Sequence, residues 1–210
     1  MVSALEGLTL YWLVTMMKSR RILELGGFSG YSTLWMAEAL KRNLRGVPDH
    51  PVISCELDPH YVQSIRAKAT EFNMDPYVKV IEGPAMDSLK TKIEPGTQFD
   101  FIFIDANKDD YINYYNYIID SGMLSSDGLI AVDNTLFSAQ TFRKYPPVQQ
   151  ALERLPGTLP EVDKSGKCRV STGSADHIYA FNKVVAEDPR TEQIMLPMFD
   201  GLTLVRLRQQ

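Results

Sequence analysis

Apolar runs recur along the chain at Arg21 to Leu25, Val52 to Leu57, Val78 to Glu82, Phe99 to Asp105 and Leu129 to Val132, rich in β-branched and aromatic residues. Runs that are apolar almost throughout belong to strands covered on both faces. Between them, Ser32 to Leu44, His60 to Phe72 and Tyr111 to Ile119 place apolar residues at helical spacing. Strand and helix therefore alternate, which predicts a doubly wound α/β fold with a mostly parallel sheet and helices on both faces. After Asn134 the rhythm breaks into a stretch containing proline and glycine up to about Thr172, followed by a helix from about Asp176 to Ala186. Two closing strands, Gln193 to Met198 and Leu202 to Arg208, flank the turn pair Asp200-Gly201, which predicts an antiparallel C-terminal hairpin at the edge of a seven-stranded sheet. A single domain spanning residues 1–210 is expected.

The apolar run Leu8 to Met17 has no preceding Lys or Arg, is followed by Lys18, Arg20 and Arg21, and is too short to cross a bilayer as a helix. It reads as a buried helix rather than a signal segment. The chain is 44% apolar and 23% charged with net charge −4, an ordinary globular balance that supplies no general attraction to nucleic acid or an acidic membrane. A small-molecule partner fits better. Cys55 and Cys168 have no metal-ligand spacing and are expected as reduced thiols of a cytosolic protein.

In such a sheet ligands bind beyond the carboxyl ends of the strands, near the point where strand order reverses. The first strand feeds Glu24-Leu25-Gly26-Gly27-Phe28-Ser29-Gly30-Tyr31-Ser32, a glycine-rich turn into a helix. Glycine lets backbone approach a ligand closely, although a tight turn without a ligand uses the same residues. Gly26, Gly27 and Gly30 do not have the spacing of the dinucleotide fingerprint, which argues against a nicotinamide cofactor. The second strand ends at Glu56, where a carboxylate can accept both hydroxyls of a ribose. A solvated strand end is the plainer alternative, and Glu56 becomes specific only together with the glycine turn.

The fourth strand delivers Asp105-Ala106-Asn107-Lys108 and the fifth ends at Asp133-Asn134. Asp105, Asp133 and the Asn134 amide are hard oxygen donors suited to Mg²⁺, and such a set leaves octahedral positions for waters or a bidentate diol. An Asp at a strand end also commonly caps the next turn, so the combination matters more than either motif. His50, His60 and His177 lie far from these residues and lack HExxH spacing, so neither a soft-metal site nor a Ser-His-Asp arrangement is expected. Lys108 can take a proton if a nearby dication lowers its pKa; a solvated loop lysine is the alternative.

With these residues in place, the chain resembles the cation-dependent class I S-adenosylmethionine (SAM) O-methyltransferases related to the catechol and caffeoyl-CoA enzymes. The resemblance is carried by Glu6-Gly7, the glycine turn, Gly83-Pro84-Ala85, Phe99 to Tyr111 and Asp133-Asn134-Thr135-Leu136. It continues at Phe181-Asn182 to Arg190 and from Leu196-Pro197 through Asp200-Gly201-Leu202-Thr203-Leu204, so that it spans nearly the whole chain. It implies a Rossmann-like fold in which Glu24, Gly26, Gly27 and Ser32 hold the methionine part of SAM, Glu56 the ribose and Ala85 the adenine region, with Val2 and Asn107 as further cofactor contacts. It implies that Asp105, Asp133 and Asn134 hold a divalent cation, Mg²⁺ foremost with Mn²⁺ or Ca²⁺ as alternatives, and that Lys108, beside Asp105, is the catalytic base. The implied substrate is a hydroxyl of a small vicinal-diol aromatic of catechol, caffeoyl or flavonoid type. The implied protein is a cytoplasmic homodimer with no nucleic-acid or membrane partner.

Three departures stand out. Family members usually carry helical residues ahead of the position matching Met1, which bear on substrate access and dimer contact. Asn107 stands where the plant enzymes usually carry Asp. The stretch from 138 to 172 is longer than the family's usual loop and is expected to form a lid. Two other readings stay open: the same scaffold acting on another nucleophile such as an RNA base substituent, and a non-catalytic SAM-binding homologue.

Overall fold

The computed structural model describes residues 2–44, 46–141, 144–147, 150 and 172–209. The chain opens with α1 (Ala4–Met16), which starts earlier than its apolar run because a capping box sets the first turn. The Ser3 hydroxyl accepts from the Glu6 amide and the Glu6 carboxylate accepts from the Ser3 amide, each at 3.2 Å. There follow β1 (Ile22–Leu25), α2 (Tyr31–Asn43), β2 (Val52–Glu56), α3 (Pro59–Glu71) and β3 (Val78–Glu82). Asp58 caps α3 through the His60 amide. A short α4 (Ala85–Asp87) runs into a π turn at Ser88–Lys92. The remainder is β4 (Phe99–Ile104), α5 (Tyr111–Asp120), β5 (Leu124–Val132), α6 (Thr172–Glu187), β6 (Thr191–Leu196) and β7 (Leu202–Leu207).

The seven strands lie in the order β3-β2-β1-β4-β5-β7-β6. β1 to β5 are parallel, whereas β7 is antiparallel to both β5 and β6. The expected doubly wound sheet and its C-terminal hairpin are thus present. In the hairpin β7 is the inner strand and β6 forms the edge. Leu25 pairs with both Cys55 and Ile104, and Ile104 pairs with Val132, so β1, β2, β4 and β5 end level along one rim.

Apolar layers cover both faces. Leu23, Leu25, Ile102, Ile104, Ile130 and Val132 pack with Tyr115, Ile118 and Phe181 on one side. Ile22, Val52, Phe101, Phe103 and Ala131 pack with Leu10, Val14, Met36 and Leu40 on the other. Two strand expectations change. β5 begins at Leu124 rather than Leu129, because Leu124 already pairs with Phe99, and the register then shifts so that Phe101 pairs with Leu129 and Ser125 to Gly128 fall in the irregularity between. β3 is only partly covered, as an edge strand must be. Most of the expected lid, and Cys168, lie outside the described residues.

Candidate active site

The level strand ends open onto a cavity of about 640 Å³. Val2, Gly26, Gly27, Ser32, Glu56, Ala85, Asp105, Asn107, Lys108 and Asn134 line it, which brings most of the expected site residues together. Glu24 and Asp133 lie behind the wall. The reversal of strand order falls between β1 and β4, where the glycine turn meets Asp105. At Gly26 φ is +95°, and a Cβ there would stand 2.5 Å from the Asp105 carbonyl oxygen, so only glycine allows this approach.

On the glycine side, Glu56 is fixed by two amides: Phe28 N–H donates to Oε2 at 2.7 Å and Asp58 N–H to Oε1 at 2.8 Å. Both oxygens keep acceptor capacity for a diol facing them. The exposed ring of Phe28 stacks at 4.2 Å on Tyr61 beside the cavity. Glu24 is fully buried and receives the hydroxyls of Ser32 at 2.6 Å, Ser54 at 2.5 Å and Thr33. Burial pushes its carboxyl up to about 7 in spite of those three donors. It sits behind Ser32 and Gly27, which line the cavity. The Asn107 amide donates to Asp109 and Asp110 at 2.8 and 2.7 Å and accepts from the Tyr114 hydroxyl at 2.6 Å, which commits its polar atoms to holding the turn before α5.

On the β4 and β5 side, Lys108 Nζ donates to Asp105 Oδ1 at 2.8 Å and to the Tyr111 hydroxyl at 2.5 Å. That hydroxyl donates in turn to the Asp133 carbonyl at 3.3 Å, and the Tyr111 ring is buried edge-to-face on Phe181. Asp133 Oδ1 accepts from the Asn134 amide at 2.6 Å. Asn134 takes φ +59°, a conformation Asn tolerates better than most residues. Burial first, then the charges of Asp105 and Glu6, raise the Asp133 carboxyl to about 8. Among the described residues no three His, Cys, Asp or Glu side chains are spaced to hold a metal ion by themselves. The expected donor set differs in that its third member is an amide.

Sequence reasoning missed the buried placement of Glu6 and the roles of Tyr111 and Tyr114. Ser3-x-x-Glu6 signalled a helix start, and the tyrosines fall one and two turns after Lys108, but neither pattern says what those side chains face.

Comparison with known proteins agrees with the geometry. The family described as O-methyltransferase matches residues 1–208. Caffeoyl-CoA O-methyltransferase 1 of Eucalyptus globulus is 31% identical over 213 residues, covering 97% of this chain and 73% of the relative. The SAH-bound Podospora anserina methyltransferase PaMTH1 superposes with a TM-score of 0.81 at 31% identity, covering 100% of this chain and 80% of that one. The Streptomyces achromogenes O-methyltransferase TomG, solved with SAM, gives 0.74 at 25% identity, covering 100% and 82%. Strand order together with these matches defines a SAM-dependent methyltransferase of class I fold. The chain belongs to the O-methyltransferase family. Among the described residues no helix is long and apolar enough to cross a membrane.

Proposed function

We propose that this O-methyltransferase moves the methyl group of SAM to one hydroxyl of a small aromatic vicinal diol, with a divalent cation held by Asp105, Asp133 and Asn134. The observation that carries the reading is the contact of Gly26 with Asp105, which sets the cofactor turn directly against the proposed cation ligands. The donors fit a hard cation: two carboxylates and an amide, at a place where burial and like charge already drive a carboxyl to about 8. The caffeoyl-CoA relatives are named for a substrate whose caffeoyl group is itself a vicinal diol.

Glu56 holds the ribose hydroxyls, Ser32 and the glycine turn the methionine end, and Ala85, Val2 and Asn107 complete the cofactor wall. When bound, SAM supplies an electrophilic methyl and the cation supplies positive charge that favours a phenolate and orients it. A phenol otherwise ionises near pH 10, as Tyr does. Lys108, oriented by Asp105 and Tyr111, would as the neutral amine take the hydroxyl proton at Nζ and become the ammonium paired with Asp105. Asp105 thus serves both as ligand and as the anchor of the base. A homodimer in the cytoplasm is part of the same reading; Leu5, Leu8, Trp12 and Met16 supply an exposed apolar stripe on α1 for the dimer contact, and Cys55 is a free thiol.

Asp133→Ala tests the cation site. Methyl transfer should vanish while circular dichroism and cooperative unfolding persist. Wild-type turnover in that variant would remove Asp133 from the mechanism.

A further inference from the structure

Asn182 is a carboxamide on the apolar side of α6. Ala175, Ile178, Phe181 and Val185 form that side and are almost fully buried, and Asn182 falls one helical turn from both Ile178 and Val185. Its Nδ2 donates to the Thr135 carbonyl at 2.8 Å, while Oδ1 is buried without a hydrogen-bond partner among the described residues. A half-satisfied buried carboxamide carries a desolvation cost that an apolar side chain avoids, so packing does not explain an asparagine here. Its one bond lands on the residue that follows Asn134.

Thr135 is itself fully buried and bonded at every polar atom. Its N–H donates to the Gly201 carbonyl at 2.9 Å, its carbonyl accepts from Asn182, and its Oγ1 accepts from the buried Thr203 hydroxyl of β7 at 2.9 Å. The segment needs such a frame. Asn134, Phe137, Ser138 and Ala139 all take left-handed backbone although none is glycine, and chain in that conformation persists only where its surroundings impose it. Of these four only Asn134, with φ +59°, lines the cofactor cavity.

We propose that Asn182 and Thr203 are positioning residues for the cation site: by fixing Thr135 from α6 and from β7, they hold Asn134 in the left-handed conformation that keeps it on the cavity wall. The inference rests on the cation reading proposed above. A ligand already held in place gives up less freedom when the cation binds, and partners behind metal ligands commonly change affinity by about 10- to 100-fold.

The test uses Mn²⁺ as probe, with free Mn²⁺ followed by electron paramagnetic resonance, on wild type, Asn182→Leu and Thr203→Val. Asn43→Leu is the control, because the Asn43 carboxamide likewise bridges backbone, donating to the Val14 and Ser19 carbonyls at 2.9 and 3.0 Å, but away from the cavity. Asn182→Leu should bind Mn²⁺ about tenfold more weakly, and Thr203→Val should weaken it by a smaller factor. Asn43→Leu should lower the thermal midpoint and keep wild-type Mn²⁺ affinity. Calorimetry without cation should give the wild-type SAM affinity in every variant, since the glycine turn is untouched; a merely structural role would lower SAM and Mn²⁺ binding together. Should Asn182→Leu fail to fold, the near-isosteric Thr203→Val decides. Wild-type Mn²⁺ affinity in either site variant, an equal loss in Asn43→Leu, or a matching loss of SAM affinity overturns the proposal while leaving the cation reading standing. If the wild type itself binds no Mn²⁺, the cation reading falls and the inference falls with it.

Discussion

Replacing Gly26 with alanine should damage stability and cation binding together, although Gly26 is a ligand to nothing. Its φ of +95° is one that L side chains rarely adopt. A Cβ there would stand 2.5 Å from the Asp105 carbonyl oxygen, 2.8 Å from its carbon and 2.9 Å from the Ala106 Cα, all backbone at the end of β4. None of these atoms can swing aside. Gly122 provides the control, since its φ is +65° but nothing lies within 4 Å of its added Cβ. Alanine there meets only the left-handed backbone cost, about 1–2 kcal/mol. Overpacking a well-filled site adds about 1–3 kcal/mol, so Gly26→Ala should lose about 2–5 kcal/mol in all. Urea unfolding without ligands measures both variants. Mn²⁺ titration should show weaker binding for Gly26→Ala, whose Asp105 is displaced, and unchanged binding for Gly122→Ala. Equal losses of stability, or wild-type Mn²⁺ affinity in Gly26→Ala, would refute the reasoning.

Lys108→Met should lower kcat by about 10²- to 10⁴-fold while SAM affinity by calorimetry stays the same, because the amine contacts Asp105 and Tyr111 rather than the glycine turn; unchanged kcat at neutral pH would make the lysine a bystander. Glu24 sets a pH dependence: its folded carboxyl ionises near 7 against an ordinary 4.5, so below 4.5 both states are protonated and the contribution is intact. As pH rises from 4.5 to about 7 the unfolded chain loses the proton first, and the folded state loses about 3 kcal/mol of relative stability. Glu24→Gln should remove that slope in denaturant unfolding across the window, and an identical slope in both proteins would contradict it.

Much of this arrangement is legible in the sequence because the strands are nearly pure apolar runs. Once β1, β2, β4 and β5 are aligned in register, Gly26, Glu56, Asp105 and Asp133 must fall along one rim. What stays hidden depends on contacts remote in sequence. β5 reaches back to Leu124 only because that residue pairs with Phe99 of β4 ahead of a register shift. Which strand of the hairpin lies inside is decided by β7 pairing with β5 on its far side. Glu24 withdraws from the cavity because hydroxyls from α2 and β2 enclose it. Glu6 reads as a helix cap, and its burial is decided by how α1 packs in the fold rather than by the capping pattern.

The decisive measurement is formation of S-adenosylhomocysteine from SAM with a catechol and with the matching monophenol, after exhaustive chelation and again after Mg²⁺ is restored. Turnover should occur with the catechol alone, disappear on chelation and return with Mg²⁺. Undiminished turnover under chelation, or equal turnover of catechol and monophenol, would contradict a cation-held vicinal diol.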